Sequence, residues 1–169
     1  MRIVVFDQAT IKTGYAIFDN SDLTRWGLIN LTDVCDTEHR LKCMLEEIDN
    51  IIVKTKPDII VFEDINQRNN IKTLITLARL QGEIMAICYT NNIDFAIYPP
   101  STWRRLVGIQ QGSHIKRESL KLQAIAFVEQ SYGIVVGDDV AESICIGLAY
   151  LIDHKMLSNN KKAKYKNMR

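Results

Sequence analysis

The apolar residues of this chain follow two rhythms: short runs in which nearly every position is apolar, and longer stretches in which they recur every three or four positions. The first short run predicts a strand over Arg2–Asp7, where Ile3, Val4, Val5 and Phe6 are consecutive and an acid follows at once. A run without polar interruption belongs in the middle of a sheet covered by helices on both faces. Thr13–Asp19 and Leu23–Leu31 read as two further strands, joined by the turn residues Asn20-Ser21-Asp22, and the short connections imply an antiparallel meander. Leu41, Met44, Leu45, Ile48, Ile51 and Ile52 stand at helical spacing and predict an amphipathic helix over Thr37–Lys54. Beyond Pro57 the pattern returns to a strand, Asp58–Glu63, which again ends in an acid. A long helix over Asn69–Asn91 carries Ile71, Leu74, Leu77, Ala78, Ile84 and Ile87, and a fifth strand, Asp94–Tyr98, is stopped by Pro99-Pro100. A short helical turn at Ser101–Leu106 and two helices, Ser113–Ser131 and Asp138–Lys155, complete the pattern.

This order predicts one α/β domain over residues 1–157, a five-stranded mixed sheet flanked by helices. Three strands are antiparallel, and crossovers make the last two parallel to the first. Residues 158–169 read as a basic, mobile tail. With 169 residues and 47% hydrophobic positions, the chain encloses a core without disulfides. It has no run of 18 apolar residues and no leader pattern of a cationic start, an apolar core and a small-residue cleavage site, so the expectation is a cytoplasmic protein with no membrane partner. Cys35, Cys43, Cys88 and Cys145 form no CxxC pair, and His39, His114 and His154 are scattered, which argues against structural zinc and redox chemistry. Cys88 and Cys145 are expected as small buried hydrophobes.

The formal charge of +1 hides an asymmetry, because six basic residues and no acid lie from Lys155 onward. Residues 1–154 therefore carry fifteen basic against twenty acidic groups, a net of −5. An acidic body suits a protein that holds cations near a polyanion better than one that coats a polyanion. Asp7 and Glu63 each end a buried strand, and on parallel neighbours both carboxylates emerge at the same edge, where open α/β sheets place their sites. Asp139 and Glu142 share one face at the start of the last helix, while Asp138 points about 100° away. Asp138 or Asp139 also fits a helix N-cap, and Asp139 with Glu142 fits a capping box, a role compatible with ligation. Four carboxylates without a histidine cluster specify Mg²⁺, with Mn²⁺ as a substitute. Two such ions, about 3.5–4 Å apart, clamp the attacking and departing oxygens of an in-line phosphoryl displacement. No small-molecule organic cofactor is expected.

These residues resemble the RuvC-type Holliday junction resolvases, a branch of the ribonuclease H-like nucleases. The likeness runs from Arg2 to about His154 and rests on Ile3-Val4-Val5-Phe6-Asp7, Thr13-Gly14-Tyr15-Ala16 and Ile59-Ile60-Val61-Phe62-Glu63. It continues through Ala78-Arg79-Leu80-Gln81-Gly82 and Leu106-Val107-Gly108, and closes on the segment from Asp139 to Ala149. The resemblance implies a ribonuclease H-like sheet and four catalytic, metal-binding acids at Asp7, Glu63, Asp139 and Glu142, the last being an Asp in most relatives. It implies DNA-contacting cations at Arg104 and Lys116, in the loop before the fourth helix and at its start, beside which Arg117 adds a third. It further implies two ions per site, nicking of branched DNA to 5′-phosphate and 3′-hydroxyl ends, and a homodimer paired through the long helix. Gln8-Ala9 stand where the family usually has Pro-Gly, and Asn66 where it tends to have an aromatic wedge, departures that fit a phage-encoded version. The missing wedge leaves a less selective fork, flap or three-way-junction nuclease as the alternative, with a non-catalytic binder of branched DNA further behind.

Overall fold

The computed structural model describes residues 1–65, 70–159, 161 and 165. Strands β1 (Arg2–Asp7), β2 (Lys12–Asp19) and β3 (Asp22–Asn30) form the meander, followed by α1 (Thr37–Thr55), β4 (Ile59–Glu63), α2 (Ile71–Asn91) and β5 (Asp94–Tyr98). Three helices, α3 (Pro100–Val107), α4 (Arg117–Tyr132) and α5 (Asp138–Asp153), complete the described elements. The sheet order is β3-β2-β1-β4-β5, with β1 antiparallel to β2 and parallel to β4, and β4 parallel to β5. This is the expected five-stranded mixed sheet.

The consecutive apolar residues of β1 divide between two cores. Ile3 and Val5 face the α5 side, and Val4 and Phe6 face α1 and α2. Helix α5 is buried at every position from Val140 to Leu151, which explains its nearly continuous apolar sequence. Its close seating depends on two glycines. A Cβ at Gly14 would stand 1.9 Å from the Asp139 carbonyl oxygen, and one at Gly147 would stand 2.3 Å from Phe18 Cε2. The start of α5 therefore lies directly on β2, beside the end of β1. Helix α1 begins at the Asp36 cap, whose side chain accepts from the His39 N–H, and ends on Lys56 in the left-handed region.

Three expectations are corrected. The helix expected over Ser113–Ser131 begins at Arg117, because residues up to Lys116 are spent in a turn in which the Ile115 N–H donates to the Gly112 carbonyl. The last helix ends at Asp153, with Lys155 in the left-handed conformation. In α2, capped by Asn70, the core side is Leu77, Leu80, Ile84 and Cys88, while Ile71 and Ala78 face outward. Asn66 and Asn69 lie outside the described residues.

The tail is also anchored at its two described interior positions. Tyr165 is buried with its ring 6.3 Å from those of Phe127 and Tyr132, and Lys161 Nζ donates to the Ser21 carbonyl and to Asp22. Cys88 and Cys145 are buried free thiols.

Gly14→Ala is expected to lower the unfolding free energy by about 3 kcal/mol, at the upper end of overpacking costs, because the obstructing atoms are backbone. Urea unfolding of the variant beside wild type measures this, and a change below about 0.5 kcal/mol would show that α5 lifts off β2 freely.

Candidate active site

Parallel pairing puts Phe6 beside Phe62, so the next residues, Asp7 and Glu63, leave the sheet side by side. The contact of Gly14 with Asp139 brings the first turn of α5 to the same edge. Asp7, Glu63, Asp139 and Glu142 line one cleft of about 230 Å³, together with Gln8, Arg104 and Arg117. All four acids expected from the sequence therefore converge, although they come from three elements spread between residues 7 and 142.

Such crowding shows in their chemistry. Burial pushes the Asp7 carboxyl well above the usual range, and the charges of Glu63, Glu142 and Asp139 push it further. Asp139 is raised as well, by burial first and then by Asp138. Arg104 supplies a counter-charge, with its Nη2 3.2 Å from Glu142 Oε1 and 4.0 Å from Glu63 Oε1. It does so from α3, not from a loop ahead of the fourth helix, and its guanidinium carbon lies 4.7 Å from the centre of the Trp103 ring. Arg117 lines the cleft from the first turn of α4, and Lys116 is the exposed N-cap residue of that helix.

Neither Asp138 nor Asp139 is the helix cap. That position is Gly137, and no side chain caps the first turn. Asp138 instead pairs with Lys121 of α4, which lowers the Asp138 carboxyl and places a positive charge near Asp7 and Asp139. Sequence reasoning missed Lys121, because a single lysine within an amphipathic helix carries no mark of what it faces. It also missed Trp103, whose indole N–H donates to Glu63 Oε1 at 2.8 Å. The usable signal was a tryptophan on the inner side of a helix, since a buried indole N–H seeks an acceptor. Gln8 is the third: its amide donates to the Glu63 main-chain carbonyl, and its buried Oε1 has no partner among the described residues. Because a carbonyl accepts only from the amide nitrogen, that hydrogen bond fixes which end of Gln8 is left as an acceptor.

A mixed sheet with one carboxylate at the end of each of two neighbouring parallel strands, and two more from the start of the helix packed beside them, is the frame of a nuclease of the phosphodiester-cleaving class. The chain belongs to the family described as crossover junction endodeoxyribonuclease RuvC, whose profile matches residues 3–146. Two similar relatives bear that description. One, from Fusobacterium nucleatum, is 28% identical over 155 residues, covering 89% of this chain and 80% of the relative. The other, from Syntrophomonas wolfei, is 25% identical over 163 residues, covering 94% and 92%. Among solved structures, T. thermophilus RuvC in complex with a Holliday junction substrate superposes with a TM-score of 0.72 at 9% identity, covering 92% of this chain and 96% of that one. The fowlpox virus resolvase in its Holliday junction complex gives 0.62 at 18% identity, covering 93% and 100%. At these identities the structural likeness carries the fold alone.

The raised Asp7 carboxyl has a consequence for stability. A carboxyl whose folded value lies above its unfolded value favours folding while protonated in both states, and that contribution is lost as pH rises through the folded value. Asp7→Asn, measured in EDTA, is therefore expected to raise the urea midpoint at pH 8, with the gain shrinking toward pH 4. An equal or lower midpoint at pH 8 would show that the buried charge is fully compensated.

Proposed function

We propose that this protein is a divalent-metal-dependent, structure-selective endodeoxyribonuclease that nicks Holliday junctions as a homodimer, leaving 5′-phosphate and 3′-hydroxyl ends. The observation that carries this reading is the convergence of Asp7, Glu63, Asp139 and Glu142 with Arg104 in one cleft. The donor set fits hard cations: four carboxylates, with the buried Gln8 Oε1, which has no partner among the described residues, as a neutral oxygen beside them. Among the described residues no three acids are gathered closely enough to hold a single ion, and Arg104 is the charge that meets Glu142 in this arrangement. Arg104 and a bound cation would compete for the negative charge of Glu142. When bound at these acids, Mg²⁺ or Mn²⁺ stabilises the charge that develops on the attacking and departing oxygens of the phosphodiester.

The chain's own residues supply the rest. Asp7, Glu63, Asp139 and Glu142 would hold the cations, two per site. Arg104 would meet a non-bridging phosphate oxygen, and its stacking on Trp103 supports the guanidinium at the cleft wall. Arg117 and Lys116, at the start of α4, would contact flanking phosphates. Lys121 holds Asp138 away from the cleft, which leaves Asp139 and Glu142 as the acidic face of α5.

Cleavage of a four-way junction is expected to require Mg²⁺ or Mn²⁺. Asp7→Asn, Glu63→Gln, Asp139→Asn and Glu142→Gln should each abolish it with junction binding nearly intact, and Asp138→Asn should cost far less. Arg104→Gln should slow single-turnover cleavage about 10²–10³-fold. Robust cleavage in excess EDTA, or by the Asp7→Asn protein, overturns the reading. Equal rates on matched four-way, three-way and flap substrates would replace junction selectivity with the broader nuclease activity.

The homodimer is supported by the outer face of α2. Ile71, Ile75, Ala78, Gly82, Ala86 and Tyr89 are all exposed at three- and four-residue spacing, so they form one stripe of small residues with bulkier apolar side chains at its ends. A Cβ at Gly82 would meet nothing within 4 Å, which leaves room for a second helix to approach. Light scattering is expected to give about twice the 19.4 kDa chain mass, and Gly82→Arg should reduce it to the monomer while each subunit stays folded. A wild-type monomer at micromolar concentration would remove the paired-nick arrangement.

A further inference from the structure

Trp103 is completely buried within the core that α5 forms with the sheet, among Tyr98, Val107, Ile109 and Ile144. Burial in an apolar core does not by itself call for a polar atom; what tryptophan adds to its volume is the indole N–H. That group donates to Glu63 Oε1, a side-chain acceptor on a strand forty residues earlier in the chain. The ring has a second use, since it carries the Arg104 guanidinium on its face, and Arg104 in turn reaches Glu142. One immobile side chain thus touches an acid of β4 directly and supports the cation that touches an acid of α5.

We propose that Trp103 is a positioning residue for the active site, its indole N–H holding the Glu63 carboxylate in the orientation that receives a divalent cation. A glutamate at a strand end has three rotatable bonds, and a carboxylate held by no donor samples orientations that face away from its neighbours. The N–H restricts Glu63 without neutralising it, whereas Arg104 carries a full positive charge that would oppose an arriving cation. Hydrogen-bond donors to metal-ligating carboxylates tune affinity in this way, and their loss costs about 10- to 100-fold in metal affinity or activity. The inference rests on the metal-dependent reading of the site.

Trp103→Phe removes the N–H and keeps the ring face. The first measurement is Mn²⁺ binding to the DNA-free protein, followed by the electron paramagnetic resonance signal of free Mn²⁺. Affinity is expected to fall about 10- to 100-fold. Single-turnover cleavage of saturated junction should fall at limiting Mn²⁺ and recover at high Mn²⁺, and junction affinity in EDTA should stay within twofold of wild type. A purely structural tryptophan would lower the urea midpoint and leave Mn²⁺ affinity within twofold of wild type, which overturns the proposal. A second measurement uses the unmutated protein: the indole N–H resonance of Trp103, assigned against Trp26→Phe, is expected to shift as Mg²⁺ is added and to stay still in Asp7→Asn. An unmoved resonance at saturating Mg²⁺ overturns the proposal even if Trp103→Phe fails to fold. A wild-type protein that binds no Mn²⁺ in the presence or absence of junction overturns the metal-dependent reading as well, whereas normal wild-type binding with an unaffected variant overturns only the role of Trp103.

Discussion

Four like charges must be held at one end of a sheet, and much of this structure answers that constraint. Carboxylates that share a cleft lose hydration, which raises Asp7 and Asp139, and repel one another, which raises Asp7 further. A loop would relieve the repulsion by moving. Here the acids are fixed to elements that cannot: β1 and β4 are paired in register through Phe6 and Phe62, and α5 is pressed onto β2 at Gly14 and Gly147. The compensating groups are equally rigid in origin. Arg104 comes from a short helix and leans on a buried indole, and Lys121 joins α4 to the first turn of α5 through Asp138.

Much of this was legible in the chain, for definite reasons. A strand buried on both faces must be apolar throughout, so β1 is found with its boundaries intact, the acids that end β1 and β4 stand out, and the edge strand β5 is delimited by Pro99-Pro100. Asp139 and Glu142 follow from helical spacing. What escaped depends on contacts between elements remote in sequence. Nothing local shows that Trp103 meets Glu63 or that Lys121 meets Asp138. The start of α4 escaped because Ile115 fits the helical rhythm although its N–H closes a turn with Gly112. The two sides of α2 could not be separated, since both carry apolar residues and only the packed structure shows which side meets the sheet.

Charge is distributed with a direction that composition alone concealed. The β2–β3 turn lies at the end of the sheet where β1 begins, since Arg2 pairs with Asp19, and Asp7 lies at the other end opposite Gly14. Lys161 binds Asp22 at that turn, so this tail lysine is matched locally and stands away from the acids. Among the described residues the cations that line the cleft are Arg104 and Arg117, with Lys116 beside Arg117. A chain of net −5 over residues 1–154 therefore presents positive charge where its acidic cleft opens, a short-range arrangement that salt leaves partly intact.

The parallel pairing of β1 with β4 joins residues more than fifty positions apart, and the last acids lie beyond residue 138. Pairings of this kind form late, because the intervening loop must be closed before the contacts stabilise it. During synthesis the first acid leaves the ribosome long before Asp139 and Glu142. Until α5 has emerged and settled onto Gly14, the nascent chain has only part of its cleft. On the proposed reading of the site, a ribosome-bound fragment that stops short of α5 would expose the strand-end acids but lack the two that complete the set, so the order of translation would keep an unfinished chain from cutting DNA.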